Sequence, residues 1–173
     1  LREIVIESYL SHSADRPDGT LAAEIVLREA SGREVTVPLR AGLETAEWAY
    51  ERDDVSEVVR HALPPVASTW PSRSGFPPRE HPGHTYEARA TWDEPLVVTA
   101  VRIRPILPLA YVRVERVRLR DDAGGEQLLA HLAGLGDHTI AYRSEDVVVY
   151  RNEDALPRAY TLPLAEVRLA GDA

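Results

Sequence analysis

The chain has no cysteine and no methionine, a single phenylalanine, and no run of eighteen apolar residues. Without cysteine there are no disulfides, thiolate metal sites or thiol nucleophiles to consider. Without a long apolar run, nothing in the sequence crosses a bilayer as a helix. Positive charge is in deficit too, since 20 basic against 28 acidic residues leave a net charge of −8. Phosphate backbones and anionic lipid surfaces both call for a cationic face. Nucleic acid is therefore excluded as a partner, and an anionic membrane surface is unattractive. The chain starts at Leu1 and lacks methionine, which reads as a piece cut or processed from a longer protein.

What is present is an ordinary globular composition: 44% apolar residues in 173 positions, enough to bury a core and sized for one domain spanning 1–173. The dominant periodicity is two. Ile4 and Ile6 open a strand that runs to about Tyr9, and Ile25 and Leu27 mark a second. Val35, Val37 and Leu39 mark a third, joined to the second through Ala30-Ser31-Gly32 as a hairpin. Tyr86, Ala88, Ala90 and Trp92 share one side of a further strand, followed after Asp93-Glu94-Pro95 by Val97–Arg104, where Thr99, Val101 and Ile103 alternate with arginines. Next, Val112 and Val114 have one parity while Val117 and Leu119 have the other. One extra residue near Glu115-Arg116, a β-bulge, returns both pairs to the same face. Asp121 to Gly125 then turns the chain, and Ile140 and Tyr142 begin another strand before Val147.

About nine short strands with alternating faces predict an all-β fold, an antiparallel β-sandwich with at most one short helix. The helix belongs near Asp54, as N-cap, with Val55, Val58 and Val59 inward; a loop and strand is the alternative there. Residues 64–84, rich in Pro, Ser, Gly and Arg, read as a long loop. The hairpin Thr85–Trp92 with Val97–Arg104 resembles the paired strands of galactose-binding-like jelly rolls, which implies a jelly roll rather than an immunoglobulin-type sandwich.

The most specific stretch is Val147 to Tyr160, VVVYRNEDALPRAY. It reads as a strand, a polar turn and a second strand, Ala159 to Leu164, entered through a proline. It resembles a signature of YfhO-like and related glycosyltransferase-type bacterial polytopic membrane proteins, and Leu39–Tyr50 is similar to sequences of the same group. The resemblance implies an extracytoplasmic domain tethered to the cytoplasmic membrane, with the membrane domain of the same protein as a partner. Any transferase chemistry would belong to that membrane part.

Candidate sites follow from residue chemistry. Sugars dock their C–H faces on aromatic rings with polar groups beside them, which points to Trp70 and Phe76 with Arg73 and Arg79, and Ser72 nearby. Trp48 with Glu47 and Tyr50 is a second cluster. The plain alternative is that Trp70 and Phe76 plug the end of the sandwich while Trp48 and Trp92 are core. His81 and His84 are spaced to chelate a metal, with His61, His138 or Glu80 completing the set, or they simply flank a Pro-Gly turn. Asp15 and Asp18 fit either a calcium loop or an ordinary Asx turn. Arg102, Arg104, Arg113, Arg116, Arg118 and Arg120 form either a basic stripe for phosphate or sugar acids or a solvated face paired with carboxylates. No G-x-S-x-G elbow marks a nucleophile. The sequence thus predicts a non-catalytic module that recognises glycan or envelope polymer, with no cofactor beyond a calcium ion. A ligand-free structural or protein-interaction module is the alternative, and a metal-dependent hydrolase on His81 and His84 a third.

Overall fold

The computed structural model describes residues 1–108, 110–130, 138–143 and 148–152. The chain divides into two compact units, Leu1–Leu132 and Ala133–Ala173, where the sequence suggested a single domain. The first unit is an antiparallel β-sandwich. Its strands are β1 (Glu3–Ser11), β2 (Leu21–Glu29), β3 (Glu34–Arg40), β4 (Val66–Ser74), β5 (Arg79–Thr91), β6 (Val98–Pro105), β7 (Tyr111–Arg120) and β8 (Glu126–Leu128). One sheet has the order β4-β5-β1-β7-β8 and the other β3-β2-β6. In the second unit β9 (His138–Arg143) pairs antiparallel with β10 (Val148–Asn152). The strand expected at Ala159–Leu164 lies outside the described residues.

Alternation explains the layers. Ile4 and Ile6 of β1 join Ile25 and Leu27 of β2 in one buried cluster, which also holds Ala23, Val37, Leu39, Ala88, Leu96 and Val117. Ile4 lies opposite Ala90 and Leu119 in the ladders, and Ile6 opposite Ala88 and Val117. Apolar residues two apart on three adjacent strands therefore fall on one face. Each large aliphatic side chain buried here contributes on the order of 2 kcal/mol. The bulge predicted near Glu115-Arg116 is present. Glu7 pairs with Arg116 and Ser8 with Val114, so Glu115 is the extra residue, and Val112, Val114 and Leu119 all pack on core clusters.

The segment 64–84 is not a long loop. It forms β4 and the first half of β5, joined by a turn at Gly75–Pro78. Its prolines conceal this, yet Pro71 lies opposite Pro82 in the ladder, and a rung without hydrogen bonds accommodates such a pair. β4 is an edge strand, where a missing donor faces solvent. The helix α1 covers Asp53–Ser56, with Arg52 rather than Asp54 at its N-cap. Val55 is buried, whereas Val58 is 54% exposed and does not face inward. Ile103 of β6 is also exposed, because β6 is an edge of the three-stranded sheet.

Candidate functional site

The outer face of the five-stranded sheet carries two different surfaces. Toward β7 and β8 it is an ion ladder. Arg120 bridges Glu126 (2.7 Å) and Glu3 (3.0 Å), and Arg89 bridges Glu3 (2.5 Å) and Glu87 (2.9 Å). Arg118 then links Glu87 (2.9 Å) to Glu7 (3.1 Å), with Arg116 at 3.6 Å from Glu7. These side chains project from odd positions of β1 and β5 and their partners on β7, so register alone assembles them. Val5, at the centre of that face, is fully buried although it points away from the core, because the arginine stems on either side roof it over. Burial raises the Glu3 carboxyl, but hydrogen bonds from Arg89 and Arg120, with their charges, outweigh it and hold the group below its usual range. Of the six arginines in the expected basic stripe, Arg104, Arg113, Arg116, Arg118 and Arg120 all pair with glutamates. The solvated, paired reading of that stripe is the one the structure supports.

Toward β4 the same face becomes aromatic. Beyond Ser8 and Tyr86 the pairing of β1 with β5 ends, and the segment Ala46–Trp48 enters the gap. Leu10 donates to the Ala46 carbonyl, Trp48 donates back to Leu10, and His84 donates to the Trp48 carbonyl, at 2.8, 2.8 and 2.9 Å. Buried Glu47 locks the wedge. Its carboxylate accepts from the Ser13 backbone N–H (2.7 Å) and hydroxyl (3.0 Å), and its carbonyl accepts from the Tyr86 hydroxyl (2.8 Å). Burial, together with the charges of Glu47 and Glu51, pushes the Tyr86 phenol far above its ordinary value, so it remains a donor.

The wedge places Trp48 beside Trp70 of β4, their planes within 4° and centroids 6.2 Å apart. Tyr9 lies 5.8 Å from Trp70, and His81 lies 5.2 Å from Trp48. Trp70 is held flat by its ladder partner, Gly83. A Cβ there would come within 2.5 Å of the indole, so only glycine leaves room for the ring to rest on the strand, as cross-strand aromatics do over sheet glycines. Trp70 and Tyr9 wall a cleft of about 440 Å³ whose rim carries Glu7, Ser68, Thr85, Arg113 and Arg116. At the free edge of β4, Trp70 also lines a second concavity of about 650 Å³ with Ser72, Arg73, Glu80 and His81.

Of the expected sugar-site residues, the structure brings together Trp70 and Arg73 but not Phe76 or Arg79. Phe76 sits fully exposed at the tip of the β4–β5 hairpin, neither plug nor part of the Trp70 cleft. Arg79 is tied to Asp53 of α1 at 2.6 Å and borders a separate groove of about 260 Å³. Trp48 and Trp92 are half-buried rather than fully buried core. Tyr9, Glu7 and Thr85, which complete the cleft, were not singled out from sequence; an aromatic in the solvent-facing phase of β1 was the available signal.

The metal expectations do not assemble. Residues three apart on a strand point to opposite faces, which separates His81 from His84. His81 Nδ1 donates to the Pro82 carbonyl at 2.9 Å, and its Nε2 meets the Ser74 hydroxyl at 2.7 Å. His84 spans the Thr69 hydroxyl at 3.0 Å and Glu51 at 3.1 Å. His61 carries its proton on Nδ1, donating to the Arg16 carbonyl, and accepts from the Glu47 N–H on Nε2. On these three histidines no lone pair is left for a metal without breaking a hydrogen bond, and the side chain of His138 lies outside the described residues. Asp18 accepts from the Ala62 N–H at 2.6 Å, clamping its loop, and Asp15 pairs with Arg16. Among the described residues no three His, Asp or Glu side chains cluster to hold an ion. Comparison with family models, with curated proteins and with solved structures finds no match for this chain.

Proposed function

We propose that this chain is a non-catalytic carbohydrate-recognition module that binds glycan or envelope polymer through the outer face of its five-stranded sheet. The observation that carries the reading is the aromatic pair Tyr9 and Trp70, 5.8 Å apart, walling a cleft with arginine, glutamate and hydroxyl groups at its rim. A pyranose offers C–H faces to such rings, and its hydroxyls need planar donors and acceptors at the edges. The cleft volume lies within the usual range for small-ligand sites. The jelly-roll, galactose-binding-like resemblance of the Thr85–Arg104 hairpin agrees with this use of the fold. An extracytoplasmic location, beside the membrane domain of a bacterial polytopic protein, is part of the same proposal and rests on the resemblance of Val147–Tyr160.

Isothermal titration against a panel of bacterial envelope and plant oligosaccharides, with Trp70→Ala alongside, tests it. Binding is expected for the native chain and a loss of at least about tenfold for the variant, since stacking and desolvation on an indole are worth over 1 kcal/mol. Absence of binding across the panel, or unchanged affinity in Trp70→Ala, sinks the proposal. One observation favours a second reading as a protein-contact module: the fully exposed Phe76 at a hairpin tip. Under the carbohydrate reading, Phe76→Ala leaves glycan affinity unchanged.

A further inference from the structure

Trp70 is shared by two concavities, the cleft of about 440 Å³ on the sheet face and the one of about 650 Å³ at the edge of β4. They do not have independent walls, because the same indole lines both. The charges along both are balanced. In the cleft Arg113 pairs with Glu115 at 2.7 Å and Arg116 with Glu7 at 3.6 Å. The edge concavity is lined by one guanidinium, Arg73, and one carboxylate, Glu80. Each subsite therefore has as many carboxylates as guanidinium groups, within a chain of net charge −8. A polyanion entering the cleft would compete with its preformed ion pairs, and at either concavity it would meet a repulsive long-range field. A neutral saccharide would instead accept from the arginines and donate to the glutamates through its hydroxyls, leaving the ion pairs of the cleft in place.

We infer that the two concavities are consecutive subsites of one track for a neutral oligosaccharide chain, with Trp70 between neighbouring sugar units; this rests on the carbohydrate reading above. Occupants of the track are internal stretches of polymer rather than single terminal sugars, and acidic polymers such as polyuronates are excluded.

The test is calorimetric titration of the native chain with neutral gluco-, galacto- and manno-oligosaccharides of increasing length and with oligogalacturonates, repeated at low and high salt. Affinity for the bound neutral series is expected to rise at least about tenfold on lengthening past one subsite. It is expected to hold steady between about 0.05 and about 0.5 M NaCl, over which screening strengthens markedly. Arg73→Ala, at an exposed position, should reduce the affinity of the longer ligand toward that of the shorter, and an unchanged affinity for the longer ligand overturns the track. Equal affinity for short and long neutral ligands, or tighter and salt-sensitive binding of oligogalacturonate, overturns the track while leaving carbohydrate recognition standing. Binding of no saccharide at all overturns both.

Discussion

Replacing Gly83 with alanine probes how Trp70 is held. The added Cβ would lie 2.5, 2.7 and 2.8 Å from Cε2, Cζ2 and Nε1 of the indole, whereas nonbonded carbons rest at about 3.5–4.0 Å. The ring must therefore lift by roughly 1 Å, which breaks its parallel contact with Trp48 and its approach to Tyr9. Overpacking of this kind costs about 1–3 kcal/mol, offset by about 0.5–1 kcal/mol from the lower unfolded-state entropy of alanine. A net loss of about 1.5 kcal/mol lowers the melting temperature by about 3–6 °C for a chain of this size. Near-ultraviolet circular dichroism and tryptophan emission should both change, because Trp48 and Trp70 sit against one another. Gly32→Ala is the control. Its Cβ meets nothing within 4 Å, but φ is +89°, so its cost of about 1–2 kcal/mol comes from the backbone alone and its tryptophan signals stay native. Unchanged stability and unchanged tryptophan spectra in Gly83→Ala would refute this account of the aromatic face.

Glu47→Ala removes the acceptor of two buried Ser13 donors. Leaving them unsatisfied costs about 2–4 kcal/mol, read as a fall of about 5–15 °C in the melting temperature, with Glu47→Gln recovering much of the loss. A melting temperature within error of native contradicts the wedge. Glu3 titrates below its usual range when folded because Arg89 and Arg120 outweigh its burial. Its contribution is therefore complete above the unfolded-state pKa and disappears as pH falls through the lower folded value. Glu3→Gln should destabilise by about 1 kcal/mol at neutral pH and by nothing in strong acid. Melting curves in which the two proteins differ equally at every pH would show that the ion ladder does not act this way.

The sandwich was legible wherever one face of a strand is buried and the other is wet. The parity slip between Val114 and Val117 even located the bulge at Glu115, because a pleated strand has no other means of returning both valines to the core. β4 was illegible for the opposite reason. Val66, Ala67, Ser68 and Thr69 are all exposed, so an edge strand that projects past the core leaves no alternation to read, and its prolines argued for a loop. The site was half legible. Trp70 and Arg73 stood out by residue type, but Tyr9, Glu7, Arg113 and Arg116 come beside Trp70 only through the registers of β4 with β5, β5 with β1 and β1 with β7, which a linear sequence does not state. Phe76 drew attention by chemistry alone and turned out to point into solvent.

The aromatic cleft as a sugar site is tested most directly by tryptophan emission during titration with neutral oligosaccharides. Covering Trp70 should shift emission to shorter wavelength and saturate along the same isotherm as calorimetry, and the shift should vanish in Trp70→Ala. Heat of binding with no change in native emission would place any saccharide elsewhere on the molecule and contradict the assignment.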